Sequence, residues 1–332
     1  MANHHQRHQI FEGGIMMNIA VLTSGGDAPG MNAAVRAVVR TALYYDMTPY
    51  AVYDGYKGLV EGNIKEMVRN DVGQILERGG TILGSSRLPE FKQEAYQKKG
   101  IEQLKKHDIE ALIVIGGDGT YRGALDLSRL GLKTIAIPGT IDNDIASTEY
   151  TIGFFTALNT AIDALDKLRD TSFSHQRCTV VEVMGRNCGD LAIFSGVACG
   201  AEIVITNDTG FDKEDVLKSV QKAKEIGKRH LIIVVAENIT DVTGLARDIQ
   251  EHTAYDARAS VLGYIQRGGT PSAFDRILAS KMGSYAVDLL KEGKDGRAII
   301  SDGIEITDCH LDDALTKENA PSDLYKYLPK LN

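Results

Sequence analysis

The sequence predicts an α/β protein built on doubly wound parallel sheet, and three observations carry that prediction. Short β-branched apolar runs, such as 111–115, 134–137 and 231–235, read as strands buried on both faces. Helix-period stretches alternate with them along the chain, the pattern of strand–helix–strand units rather than of hairpins. The ends of those strands carry the glycines and carboxylates, and that is where open α/β sheets bring side chains into a common crevice.

At 332 residues the chain has room for two domains with substantial cores, or for one large α/β unit. The charged fraction of 25% beside 43% hydrophobic residues is that of an ordinary globular protein, so disorder is not the default. A net charge of −8 argues against wholesale binding to nucleic acid or to an anionic membrane, though local basic pockets for phosphate are compatible with it. No apolar run approaches the ~18 residues needed to span a bilayer. Cys178, Cys188, Cys199 and Cys309 show no close metal-ligand spacing and read as small apolar residues in a reducing cytosol. Residues 1–16 carry His4, His5, His8 and a Gly13-Gly14 pair ahead of a second start-like Met16-Met17. They read as an expression tag and linker, with a native metal-binding arm as the alternative.

Taken in order, 19–22 is the first strand, and 23–34 is a turn followed by a helix running toward Tyr45. Gly25 and Gly26 let the backbone approach an anion, and the helix N-terminus adds free N–H groups and positive dipole. The spacing is neither a Walker A loop nor G-x-G-x-x-G. A second strand at 50–53 leads to a glycine-bearing loop at 54–58, and a glycine-rich loop over 79–87 ends in Arg87, whose planar fork suits a phosphate. A polar helix over 90–107 precedes the two dominant strand ends, Gly116-Gly117-Asp118-Gly119-Thr120 and Pro138-Gly139-Thr140-Ile141-Asp142-Asn143-Asp144. A helix over 156–169 follows, then a strand at 178–183 ending in Met184-Gly185-Arg186. Next come a strand at 202–205, a helix over 213–226, and a strand at 231–235 ending at Glu237. Arg258 is expected on a helical approach to the loop 263–269. No low-complexity linker interrupts the chain, so domains are expected to share crossing segments.

The chemistry these residues suit is phosphoryl transfer. Asp118, among small residues, suits Mg²⁺ on a nucleotide, because hard cations take carboxylate oxygens and glycines leave the phosphates room. Asp142 and Asp144 are expected to point in different directions, one facing the acceptor and the other bracing the loop or the metal. A carboxylate beside a substrate hydroxyl takes its proton as the oxygen attacks phosphorus, while Thr140 and Arg186 donate to the transferring group. Arg177, Arg258 and Arg267 suggest a second anion on the acceptor. No G-x-S-x-G elbow occurs, and His175, in a polar loop, reads as structural or solvated.

Five motifs in fixed order, T-S-G-G-D-A-P-G-M-N-A-A (23–34), I-G-G-D-G-T (115–120), P-G-T-I-D-N-D (138–144), V-E-V-M-G-R (181–186) and G-Y-I-Q-R-G-G (263–269), resemble the bacterial ATP-dependent 6-phosphofructokinases from Asn18 to the C-terminus. The resemblance implies two similar doubly wound, Rossmann-like domains with the active site in the cleft between them. The ATP-binding domain would be 17–153 plus 266–316, and the fructose 6-phosphate-binding domain 154–265 plus 317–332. It implies a cytoplasmic, allosteric homotetramer carrying out the committed step of glycolysis: γ-phosphoryl transfer from MgATP to the 1-hydroxyl of fructose 6-phosphate.

Carried over by position, Asp142 would be the general base, with Thr140, Arg186, Asp144, Gly26 and Arg87 completing the catalytic set. Asp118 would serve Mg²⁺. Gly26, Arg87, Leu88, Gly117, Gly119, Thr120 and Gly123 would lie along ATP, with Tyr56 near the adenine. Thr140, Ile141, Met184, Gly185, Arg186, Glu237, Tyr264 and Arg267 would hold the sugar phosphate, and Arg177 and Arg258 would reach its 6-phosphate from a neighbouring subunit. Arg36, Arg40, Arg69, Arg169, Glu202, Lys228 and His230 would form an effector site for ADP and phosphoenolpyruvate. Pyrophosphate-using relatives carry Asp at the position of Gly119 and Lys at that of Gly139; glycine at both is expected to keep space open for ATP.

Three departures from the family pattern carry expectations. Tyr264 stands where the family usually has His, and a tyrosine cannot carry positive charge near pH 7, so fructose 6-phosphate binding is expected to be weaker or differently pH-dependent. Ile226 and Gln74 replace a basic and an acidic effector residue, which predicts blunted regulation. Leu88 and Lys92 replace an aromatic and an arginine beside the nucleotide, which loosens its packing. Lipid and NAD kinases share the Gly-Gly-Asp-Gly-Thr turn but lack P-G-T-I-D-N-D. A non-catalytic regulatory subunit binding sugar phosphates or nucleotides is the reading from another class, and it would be expected to have lost Asp142, Asp118 or Arg186.

Overall fold

A computed structural model describes residues 17–317 and 320–331; the expected tag lies outside the described residues. The strands are β1 (Asn18–Ser24), β2 (Thr48–Val52), β3 (Ile64–Glu66), β4 (Ile109–Gly116), β5 (Lys133–Pro138), β6 (Arg177–Val183), β7 (Ile203–Ile205), β8 (Leu231–Ala236), β9 (Asp256–Val261), β10 (Arg297–Asp302) and β11 (Glu305–His310). The helices between them are α1 (Met31–Tyr44), α2 (Gly55–Glu61), α3 (Glu94–Lys105), α4 (Asp118–Arg129), α5 (Phe154–His175), α6 (Asp190–Cys199), α7 (Lys213–Glu225), α8 (Val242–His252), α9 (Ala273–Lys291) and α10 (Leu311–Thr316).

Two sheets result. The larger runs β11-β10-β5-β4-β1-β2-β3, parallel except for the outer strands β3 and β11; the smaller runs β7-β8-β6-β9 and is parallel throughout. Both faces of each sheet are covered, as the apolar runs require. Ile19, Val21, Ile113 and Ile135 of the first sheet share one core with Val181, Val183, Ile232 and Val234 of the second. The alternate residues Ala20, Leu22, Leu112 and Val114 face a separate core, as do Val180, Ile233 and Val235. The sheets therefore back onto a common interior, and the strand order places their carboxyl ends around one cleft.

Strand order reverses between β1 and β4 in the first sheet and between β6 and β9 in the second. Such switch points are where open α/β sheets leave a crevice. The chain crosses from the first sheet to the second through α5 and returns ahead of α9. Asp275, fully buried in the first turn of α9, accepts from Gly153 N (2.9 Å) and Thr156 N (2.8 Å), and so caps α5 with a charge opposite to its dipole. One carboxylate joins both crossings.

Several elements differ from expectation. The glycine-bearing segment after β2 is helical from Gly55, because Asp54 takes the left-handed turn (φ 58°) and Tyr56, Leu59 and Val60 bury one face. The polar helix is broken into a 3₁₀ turn, Pro89–Lys92, and α3, since Gln93 is extended. Helix α5 is longer than predicted and His175 closes its last turn instead of lying in a loop. Arg258 lies on strand β9, not on a helix: hydrogen bonding to β6 holds an otherwise polar segment extended.

Candidate active site

Carboxyl ends of both sheets face a single cavity of about 1110 Å³. From the first sheet come Gly25 and Gly26 after β1, Gly117–Thr120 after β4, and Thr140–Asp142 with Asp144 after β5. From the second come Met184 and Arg186 after β6, Glu237 after β8, and Gly263, Tyr264 and Arg267 after β9. Arg87, Leu88, Tyr56 and Gly123 line the same space. Sequence positions from 25 to 267 thus converge.

The ends of β1 and β4 are tied where Thr120 Oγ1 donates to Ser24 O (3.1 Å). Gly116 has no room for a Cβ, which would stand 2.3 Å from that same carbonyl. Gly26 lies beneath Arg267: a Cβ there would meet Nη1 at 3.2 Å, so the guanidinium of the second sheet's loop covers the first sheet's turn. The Tyr264 ring stacks near that guanidinium, 5.2 Å from its centroid, and is otherwise exposed.

Asp142 is half-buried, its backbone N–H donating to Thr140 Oγ1 (3.2 Å) while its Oδ1 accepts no hydrogen bond from the described residues. Burial first, then the charges of Asp144 and Glu237, push its carboxyl up to about 6, against the opposing pull of Arg267 and Arg186. Asp144 is raised too, by burial, with Arg186 pulling the other way; its Oδ1 is likewise buried and unpaired. The expectation that these two side chains diverge is corrected. Both reach the one cavity: alternate residues of an extended segment share a face, and the left-handed turn that Asn143 takes between them (φ 53°) does not separate them.

Arg186 is held by strain and by charge. It is itself left-handed (φ 57°) after Gly185 (φ 137°), its N–H donates to Glu237 Oε1 (2.7 Å), and its Nη1 donates to Asp144 Oδ2 (3.3 Å). Non-glycine residues pay about 1 kcal/mol or more for such a turn, and functional sites are where it persists. Its side chain is 56% exposed into the cleft.

Asp118 opens α4, where Arg122, one helical turn on, grips its carboxylate through Nε and Nη2 (3.0 Å each). Unpaired acceptor atoms on Asp142 and Asp144, with Asp118 close enough to raise Asp144, form a donor set of hard oxygens that fits Mg²⁺. Among the described residues, Asp248, Glu251 and His252, away from the cavity, are the three ligating groups compact enough to hold an ion without a ligand; Asp118, Asp142 and Asp144 are spaced more widely.

Other expected residues are placed less simply. Tyr56 is almost fully buried: it stacks on Phe91 (4.2 Å between centroids) and its hydroxyl donates to Thr120 O (2.6 Å). It walls the nucleotide end and has no free face for an adenine. Gly119 opens onto free space, whereas a Cβ on Gly139 would stand 2.9 Å from Ile115 Cγ2. The open-space expectation holds for Gly119 and is corrected for Gly139, whose Cβ direction points into packed side chains. Arg177 and Arg258 share Asp256 (2.6 and 2.5 Å) and do not line the cavity.

The expected effector residues form two groups. Arg36 and Arg69 act on Arg40, which burial foremost lowers from its ordinary value. Arg169 donates to Cys199 O (2.5 Å), and Lys228 pairs with Glu202 (3.3 Å), beside His230, which burial lowers. Ile226 is 69% exposed and Gln74 is exposed in a left-handed turn. All four cysteines are free thiols.

Sequence reading missed Arg122, Phe91 and Asn143. The i,i+4 spacing of Asp118 and Arg122 was a usable signal. Phe91 and Asn143 act through partners distant in sequence, which no local pattern reveals.

A phosphofructokinase family model matches residues 18–290. The chain belongs to the phosphofructokinase family. It is 54% identical to the ATP-dependent 6-phosphofructokinase of Teredinibacter turnerae, over 92% of this chain and 96% of that one. It is also 54% identical to the ATP-dependent 6-phosphofructokinase of Aliivibrio fischeri, over 96% of this chain and 100% of that one. Among solved structures, the phosphofructokinase of Saccharomyces cerevisiae superposes with a TM-score of 0.83 at 33% identity over 95% of this chain. This chain spans 47% of the yeast one. A pyrophosphate-dependent phosphofructokinase from Marinobacter aquaeolei, at 21% identity and a TM-score of 0.83 over 95% of this chain and 91% of that one, shares the fold. No helix among the described residues is long and apolar enough to cross a membrane.

Proposed function

We infer that this chain is an ATP-dependent 6-phosphofructokinase, transferring the γ-phosphoryl group of MgATP to the 1-hydroxyl of fructose 6-phosphate. The observation that carries the reading is Asp142. Its Oδ1 is buried and unpaired, burial pushes its carboxyl up to about 6, and it faces the cavity beside Thr140, Arg186 and Arg267. The 1-hydroxyl proton passes to Asp142 as its oxygen attacks Pγ; the new O–P bond forms while the bond from Pγ to the β-phosphate oxygen breaks, and ADP leaves. Arg186 and the Thr140 hydroxyl donate to the phosphoryl oxygens as their charge shifts. Mg²⁺, held by Asp118 with Asp144 beside it, would neutralise charge on the β- and γ-phosphates. Gly26 and Arg87 lie along the ATP chain, and Met184, Glu237, Tyr264 and Arg267 take the sugar phosphate.

The same reading divides the chain where it crosses between sheets, giving 17–153 plus 266–316 to ATP and 154–265 plus 317–332 to the sugar phosphate. In support, Tyr325 near the C-terminus bonds Thr206 (2.7 Å) and Asp208 (2.9 Å), beside the second sheet. It makes the chain a cytoplasmic homotetramer in which Arg177 and Arg258 serve a neighbour's 6-phosphate, and ADP and phosphoenolpyruvate its effectors. The test is ADP release from MgATP with and without fructose 6-phosphate. ADP formed without the sugar, or no ADP with it, contradicts the reading.

A further inference from the structure

Between Asp142 and Asp144 stands a residue that the reaction does not use. Asn143 is 7% exposed, and its amide is saturated on both sides. Oδ1 accepts from Thr151 N (3.0 Å), and Nδ2 donates to Glu149 O (3.0 Å) and to Asp190 Oδ2 (2.7 Å). The first two bonds stay within the loop after β5. The third crosses the cleft to the first turn of α6, which packs on the second sheet. A weaker contact runs the same way, from Cys188 Sγ to Asn143 O (3.6 Å). Asp190 lies four residues beyond Arg186 on one short segment, whose Arg186 Nη1 reaches back to Asp144 Oδ2 (3.3 Å).

We propose that the Asn143–Asp190 hydrogen bond is a positioning tie that fixes the distance between the proton-accepting loop of the first sheet and the Arg186 segment of the second. Resting on the phosphofructokinase reading, it assigns two positioning residues that touch neither substrate. Three observations carry the proposal together. The bond joins segments from different sheets; its acceptor is a half-buried carboxylate, which makes the bond charge-assisted; and Asn143 also takes the left-handed turn between the two aspartates that line the cavity. A side chain needed only for its left-handed turn requires no partner on the opposite sheet. Misplacing reacting groups by about 1 Å costs on the order of 100-fold in rate.

The test separates turn from tie. Asn143→Gly keeps the left-handed backbone and removes the amide. Asp190→Leu removes the acceptor at similar volume, and Asp190→Asn keeps an oxygen in its place. Binding of MgATP and of fructose 6-phosphate is measured by calorimetry beside steady-state turnover, with folding checked by circular dichroism. The tie predicts that Asn143→Gly and Asp190→Leu each lose about 10–100-fold in kcat, with both dissociation constants within about threefold of the parent's. The double variant Asn143→Gly/Asp190→Leu then loses no more than the larger of the two single losses, and Asp190→Asn recovers most of the loss of Asp190→Leu. Multiplying losses in the double variant, an Asp190→Asn as slow as Asp190→Leu, or a loss confined to KM would each overturn the tie. A parent protein without turnover would instead overturn the phosphofructokinase reading on which it rests.

Discussion

Asp142 carries opposing demands that can be measured separately. Its folded value of about 6 lies above the 3.8 of an unperturbed carboxyl. A base must be ionised, so kcat/KM should fall tenfold per pH unit below about 6. The stability sign follows from the same shift. Between 3.8 and about 6 the folded state holds more protons than the unfolded one, so this group's contribution falls as pH rises through that window. Above it, the ionised carboxylate costs on the order of 2–3 kcal/mol. Asp142→Asn should therefore lose about 10²–10⁴-fold in kcat while melting above the parent at pH 8, the gain shrinking toward pH 4. Equal melting temperatures at both pH values would contradict the burial account. The two donor-space glycines make a second pair of expectations. Gly119→Asp, opening onto free space, should fold normally and lose use of ATP; Gly139→Lys, directed at Ile115, should lower the thermal midpoint through about 1–3 kcal/mol of overpacking.

At the scale of elements, the strand ends were legible in the sequence because the signals are local: a β-branched run, then glycines and a carboxylate. Contacts that set the site's shape were not. Nothing near Asp54 announces that it takes a left-handed turn into a helix, since the buried face of Tyr56, Leu59 and Val60 decides it. Arg258 sits on a strand because β6 pairs with it, a relation across about 80 residues that periodicity cannot express. The divergence expected of Asp142 and Asp144 has no basis in extended geometry, where alternate residues share a face; the turn actually taken at Asn143 is held by partners as distant as Asp190. Asp275 is the same kind of feature, an acidic residue in a helix first turn whose α5 partners lie more than a hundred residues away. Asp275→Ala would leave the N-terminal N–H groups of α5 unpaired in a buried crossing and should cost about 3 kcal/mol. Calorimetric unfolding checks this. A change below about 0.5 kcal/mol would mean that the crossings are held by apolar packing alone.

For the whole molecule, the cleft explains why two sheets are needed. The glycine turns and Asp142 belong to the first; Arg186, Glu237 and Arg267 belong to the second, and the proposed reading gives the nucleotide and the base to the one and the phosphoryl and sugar groups to the other. The proton and charge partners meet only when both are present. Within one chain Arg177 pairs with Asp256 and does not line the cavity. It lies at the start of β6, seven residues and roughly 20 Å from the Met184 end that opens on the cavity. The account therefore predicts complementation. Asp142→Asn and Arg258→Ser chains, each slow alone, should regain turnover when dissociated and reassembled together, because one hybrid site type then has both residues. Failure to regain it, with mixed oligomers shown to form, would place Arg258 outside the site. The central claim has a more direct test, ADP release with MgATP alone, with MgATP plus fructose 6-phosphate, and with pyrophosphate replacing ATP. The account predicts ADP only when both MgATP and the sugar phosphate are present, and no sugar bisphosphate from pyrophosphate. Turnover with pyrophosphate, or silence in every mixture from a folded protein, would contradict it.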